Sequence, residues 1–149
     1  MTLSKITEML SVAGVRPLRV SGSAAAYSRP TREWTRTKFR SAWMDTMKWM
    51  GVEYVEDVYV CRDIADLCVA CARLWHAKAN PDSGMPLAIA RLDYIPDNAT
   101  LNGHGMVLCI TETDVVVQEP QRSKSIIESC LPERELSPAE WDSAVVRFS

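Results

Sequence analysis

Apolar positions recur along the chain with two periods, and the period changes near the middle. Apolar residues three or four apart predict helices, mainly in the first half, whereas runs rich in β-branched residues predict strands in the second half. The predicted helices cover 4–13, 31–50, 61–79 and a short stretch from 138, and the predicted strands cover 86–95, 104–111 and 115–119, with a short extended segment at 55–60. Helices followed by a strand hairpin are typical of an α+β fold.

The composition is that of one soluble domain. The chain has 149 residues, of which 47% are hydrophobic and 24% are charged, and two halves of this length would each have a thin core. We therefore predict one domain over 1–149, with an N-terminal helical part (1–53), a central core (54–123) and a C-terminal extension (124–149).

The charge balance narrows the expected partners. The chain has 17 Lys and Arg residues against 19 Asp and Glu residues, a formal net charge of −2, which excludes a polyanion binder held by bulk positive charge. The basic residues of the 31–50 helix are interpreted as its solvated face, so a nucleic acid is not an expected partner. No signal-peptide core and no run of about 18 apolar residues is present, which predicts a protein that is not secreted and has no membrane partner.

Five cysteines and two histidines are the residues on which candidate chemistry depends. Cys68 and Cys71 form a CxxC pair in the middle of a predicted helix, on its apolar face, and are interpreted as core residues. Cys61 is seven residues from Cys68, about 10 Å along a helix, which is too far to share a zinc ion. We therefore predict no metal and no cofactor, and we interpret His76, late in the same helix, as a surface residue.

Cys61 differs from the other cysteines in its position. It lies where the extended segment gives way to the helix, and a helix N-terminus favours a thiolate through unpaired N–H groups and a partial positive charge. The backbone N–H of Cys61 is also predicted to stabilise an oxyanion there. The alternative is that Cys61 is an ordinary buried cysteine.

His104 and Glu119 are predicted to meet across the hairpin. His104 opens one strand and Glu119 closes the next, and a turn centred between residues 111 and 112 places them opposite each other. A carboxylate beside the imidazole would orient the ring and support its charged form. The alternative is an ordinary cross-strand ion pair on the surface.

Three short motifs carry a resemblance to a known family. The chain has Cys-Arg-Asp-Ile-Ala at 61–65, His-Gly at 104–105 and Glu-Pro-Gln at 119–121. It resembles the papain-like cysteine peptidase domain of the Marasmius oreades agglutinin and related small phage proteins, within the wider transglutaminase-like superfamily. That family has Cys-Asp-Asp-Phe-Ala and His-Ala, so an arginine replaces an aspartate and a glycine replaces an alanine here. The resemblance covers about residues 54–123.

The resemblance implies a fold and a set of site residues. The fold would be papain-like, with N-terminal helices and a nucleophile-bearing helix packed on an antiparallel sheet. The implied catalytic residues are Cys61 as nucleophile, His104 as general base, Glu119 as orienting acid and Gln121 as a polar accessory. The calcium dependence of the fungal domain is not carried over, because no matching carboxylate cluster is present.

The expected function is that of a phage-encoded cysteine peptidase or amidase acting on a protein or peptide substrate. Its expected location is the cytoplasm of the infected host cell or the virion. Acyl transfer, such as crosslinking or deamidation, uses the same triad and stays open. The alternative is a catalytically silent module of the same fold that binds a host or virion protein.

Overall fold

The computed structural model describes residues 1–51, 58–98, 103–121 and 131–148, and the side chains of residues 58–60 lie outside this description. The helices are α1 (Leu3–Val12), α2 (Arg32–Arg36), α3 (Lys38–Met50), α4 (Val58–Ala79) and α5 (Pro138–Ser143). The strands are β1 (Arg19–Gly22), β2 (Ile89–Tyr94), β3 (His104–Ile110), β4 (Val115–Gln118) and β5 (Val145–Phe148). The predicted α+β class is confirmed.

The five strands form one mixed sheet in the order β1-β5-β2-β3-β4. The pairs β2–β3 and β3–β4 are antiparallel, as predicted, and so is the unpredicted pair β5–β2, but β1 runs parallel to β5. The prediction of a wholly antiparallel sheet is therefore wrong at this edge. The reason lies at the C-terminus, where α5 ends at Ala144 in extended backbone and Val145 begins a strand instead of continuing the predicted helix.

Helices cover the central strands of the sheet on both faces. On one face, α1 and α5 pack through Ile6, Leu10 and Trp141 against a core that includes Leu108 of β3. On the other face, α3 and α4 bury a second core, which includes Phe39, Trp43, Ile64, Cys68, Ile89, Val107 and Cys109. Because β2 and β3 are covered on both faces, their sequences contain apolar runs instead of alternating apolar and polar residues.

The helix boundaries differ from prediction at two places. The predicted 31–50 helix is broken at Thr37, whose φ of −117° and ψ of −86° are not helical, so α2 and α3 are separate. In addition, α4 begins at Val58, so the backbone of 58–60 is helical rather than extended. Residues 55–57 of that predicted extended segment lie outside the described residues. Cys61 is consequently the fourth residue of α4.

Three of the other four cysteines lie in or against the core that α3 and α4 bury. Cys68 and Cys109 are buried and Cys71 packs against the same core, whereas Cys130 lies outside the described residues.

Arg32 and Arg36 of α2 form ion pairs with Glu133. Among the described helices, none is both long enough and apolar enough to cross a membrane.

Candidate active site

His104 and Glu119 lie side by side at one end of the β3–β4 hairpin. His104 opens β3, Glu119 follows the last residue of β4, and His104 Nε2 lies 2.5 Å from Glu119 Oε2. The register differs from the prediction, because Val107 pairs with Gln118 and Ile110 with Val115. Glu119 is thus a diagonal neighbour rather than directly opposite. A shift of two residues keeps a side chain on the same face of a strand, so the two groups still meet.

The pair is oriented by further contacts. Glu119 Oε1 accepts a hydrogen bond of 3.1 Å from the backbone N–H of Gln121. The His104 ring lies edge to face with Tyr94, with 5.9 Å between centroids, and burial raises the pKa of Tyr94 to about 12, so its hydroxyl stays neutral. A carboxylate only accepts hydrogen bonds, so Nε2 carries the proton and Nδ1 is left to exchange a proton with another group.

The Glu119–Gln121 segment is held in place from two sides. Trp43 of α3 donates a hydrogen bond of 2.8 Å from its indole Nε1 to the carbonyl oxygen of Pro120. The backbone N–H of Glu119 donates to the carbonyl of Pro132 over 3.0 Å. This hydrogen bond could not be predicted from the sequence, because no sequence pattern reveals which carbonyl an indole will reach.

The first turn of α4, which carries Cys61, packs closely on the start of β3. A Cβ atom at Gly105 would lie 3.1 Å from the carbonyl oxygen of Cys61 and 3.0 Å from Arg62 Cα. The first turn of α4 therefore passes directly over the residue that follows His104. Glycine suits this close approach, because a Cβ atom here would require the facing backbone to give by a few tenths of an ångström.

Two groups are candidate donors to an oxyanion, the backbone N–H of Cys61 and the side-chain amide of Gln121. Cys61 is the fourth residue of α4, and the role of its backbone N–H at an oxyanion stays a prediction. Gln121 offers another donor: its side chain is 8% exposed, and its Nε2 is buried without a hydrogen-bond partner among the described residues.

Burial shifts the pKa values of two other thiols and of the second histidine. Burial raises the pKa of the Cys109 and Cys71 thiols, which disfavours their thiolate forms. His76 is half-buried rather than a surface residue, its Nδ1 lies 3.2 Å from Asn80 Nδ2, and burial lowers its pKa. Within the described part of the chain, no three His, Cys, Asp or Glu residues are grouped as a metal site would require.

Comparison with known proteins shows a similar fold. A solved structure titled "PSL1a-E64 complex" aligns with a TM-score of 0.70 and 14% sequence identity. The alignment covers 99% of this chain and 50% of that chain, so the present chain spans half the length of the protein it matches. No protein-family model and no curated protein matches the sequence.

Proposed function

We propose that the protein is a papain-like cysteine hydrolase that cleaves an amide bond in a protein or peptide substrate. Cys61 is the nucleophile, His104 is the general base, Glu119 orients His104, and Gln121 donates to the oxyanion. The observation that carries the proposal is the His104–Glu119 pair, which engages Nε2, together with the packing of the α4 turn that bears Cys61 on Gly105, the next residue of β3.

Each group has a defined part in the reaction. The Cys61 thiolate attacks the carbonyl carbon, a C–S bond forms, and the oxyanion accepts a hydrogen bond from Gln121 Nε2. The imidazolium of His104 then protonates the amine as the C–N bond breaks, which leaves a thioester. Water attacks the thioester while His104 takes its proton, and the C–S bond breaks to return the thiol and release a carboxylic acid.

No described residue accepts a hydrogen bond from the buried Nε2 of Gln121, which supports its assignment. A buried donor without a partner costs about 1–3 kcal/mol, so a protein rarely retains one unless a ligand satisfies it. Its backbone N–H already bonds to Glu119, which fixes the residue at the pair. A developing oxyanion is a suitable acceptor for the free amide N–H.

The structural neighbour suggests the first probe, because its title names a complex with E64. We expect incubation of the wild-type protein with E64 to give one adduct, located on Cys61 by peptide mapping. The Cys61→Ala and His104→Ala variants should give none, and Cys71→Ala should behave as the wild type because this thiol lies on the same helix but outside the site. Adduct formation that persists in Cys61→Ala, or its absence from the wild type, contradicts the proposal.

One observation favours the second candidate, a catalytically silent module that binds another protein. Cys61 is only 3% exposed, and most buried cysteines serve packing alone. In that case Cys61 would react with iodoacetamide no faster than Cys71 in the folded protein. Selective, rapid labelling of Cys61 would instead support the hydrolase.

A further inference from the structure

Three arginines converge on one carboxylate next to the candidate active site. Asp93 of β2 is 13% exposed, and its oxygens lie 3.0 Å from Arg91 Nε, 3.6 Å from Arg147 Nε and 3.7 Å from Arg62 Nε. Arg91 also contacts Asp66 of α4. The cluster thus holds three positive and two negative charges, a local net charge of +1 in a chain whose formal net charge is −2.

Two of these arginines keep unused hydrogen-bond donors. Arg91 forms a hydrogen bond with each aspartate. The distances from Arg62 and Arg147 to Asp93 exceed hydrogen-bond length, and among the described residues neither side chain donates a hydrogen bond. Their side chains are 43% and 47% exposed. A guanidinium offers five N–H donors in a planar fork that matches a carboxylate, so both groups can receive an anion from solvent.

The cluster adjoins the proposed nucleophile. Arg62 directly follows Cys61, and its Nη2 would lie 3.0 Å from a Cβ atom at Gly103, the residue before His104. Its guanidinium therefore lies beside the start of β3. Arg147 is opposite Arg91 in the sheet and lies on β5, beyond the strands β2 and β3 on which α4 packs.

We propose that Arg62 and Arg147 bind the carboxylate of an acidic substrate residue close to the scissile bond, so that the substrate is an acidic peptide or protein. This inference rests on the proposed function, because it assigns specificity to the same site. Asp93 is the positioning residue, since it draws both guanidinium groups to one place. A substrate carboxylate that bridges the two arginines would satisfy donors that are unused in the free protein.

Two small alkylating agents test the charge preference without a known substrate. Iodoacetate and iodoacetamide alkylate a thiolate in the same way, with formation of a C–S bond and loss of iodide, and differ only in a carboxylate or an amide. The measured quantity is the ratio of their rate constants at Cys61, resolved by mass spectrometry at low ionic strength. We expect Arg62→Gln and Arg147→Gln each to lower this ratio by about threefold, as for one unit charge removed at about 7 Å in a water-like dielectric.

Matched variants separate the possible results. Arg29→Gln removes the same charge at the far end of the hairpin, where Arg29 bonds to the carbonyl of Glu112, and should leave the ratio unchanged. Arg62→Lys should retain it, and 0.5 M salt should remove the difference between variants. Equal ratios in Arg62→Gln, Arg147→Gln and Arg29→Gln, with Cys61 still reactive, would overturn the acidic-substrate inference alone. A Cys61 that is inert to both reagents would overturn the proposed function and this inference with it.

Discussion

Replacing Gly105 with alanine tests the close packing of the α4 turn that bears Cys61 on the residue after His104. The new Cβ would lie 3.0 Å from Arg62 Cα, 3.1 Å from Cys61 O and 3.2 Å from Arg62 N. All three atoms belong to the backbone of α4, so that backbone must give by a few tenths of an ångström before the methyl group fits. We therefore expect Gly105→Ala both to destabilise the fold and to slow alkylation of Cys61.

The magnitude follows from two opposing effects. Overpacking a well-packed site costs about 1–3 kcal/mol, and the lower backbone entropy of alanine in the unfolded chain offsets about 0.4–1 kcal/mol. The net loss in the free energy of unfolding is then about 0.5–2 kcal/mol. With a urea m-value of about 2 kcal/mol/M, the midpoint of unfolding should fall by about 0.3–1 M.

Gly103→Ala is the matched control, two residues earlier in the chain. Its new Cβ would meet Arg62 Nη2 at 3.0 Å, which is the far end of a flexible side chain, and Tyr94 O only at 3.5 Å. Its urea midpoint should stay within about 0.3 M of the wild type, since surface changes cost little. If Gly105→Ala unfolds at the same urea concentration as Gly103→Ala, the close approach of α4 to β3 is refuted.

Three further substitutions test the surroundings of the site. Glu119→Gln should lower the rate of Cys61 alkylation about tenfold or more at pH 6, because His104 loses the carboxylate that orients its ring, while the urea midpoint changes little. Trp43→Phe removes the hydrogen bond to Pro120 and should lower the free energy of unfolding by about 1–2 kcal/mol; an unchanged urea midpoint would contradict that contact. Glu133 has a lowered pKa because of its hydrogen bond to Arg36 and the charges of its two arginine partners, so the stability it adds is present above about pH 4.5 and is lost as pH falls through its lowered pKa. Glu133→Gln should therefore destabilise the protein more at pH 7 than at pH 3, and an equal loss at both would refute the assignment of an ion pair.

The parts of the fold that the sequence predicts well depend on local patterns. The β-branched runs of 104–111 and 115–119 and their intervening turn predict β3 and β4 within one residue at each end. The N-cap serine and first-turn proline likewise mark the start of α5 at Pro138. The His104–Glu119 proximity also follows from the hairpin, because an error of two residues in register leaves both side chains on the same face.

The parts that the sequence does not predict depend on contacts between distant residues. The parallel pairing of β1 with β5 joins residues more than 120 positions apart, and no local pattern distinguishes Val145–Phe148 from a continuing helix. The hydrogen bond from Trp43 to Pro120 spans 77 positions. The need for glycine at position 105 becomes visible only when α4 is placed against β3.

The pH dependence of Cys61 alkylation tests the central claim most directly. An ordinary thiol loses about tenfold in thiolate, and in rate, for each pH unit below about 8.5. If His104 activates Cys61, the iodoacetamide rate of the wild type should fall less steeply from pH 7 to pH 5.5 than that of His104→Ala. A wild-type rate that falls as steeply as that of His104→Ala would contradict the catalytic assignment of Cys61 and His104.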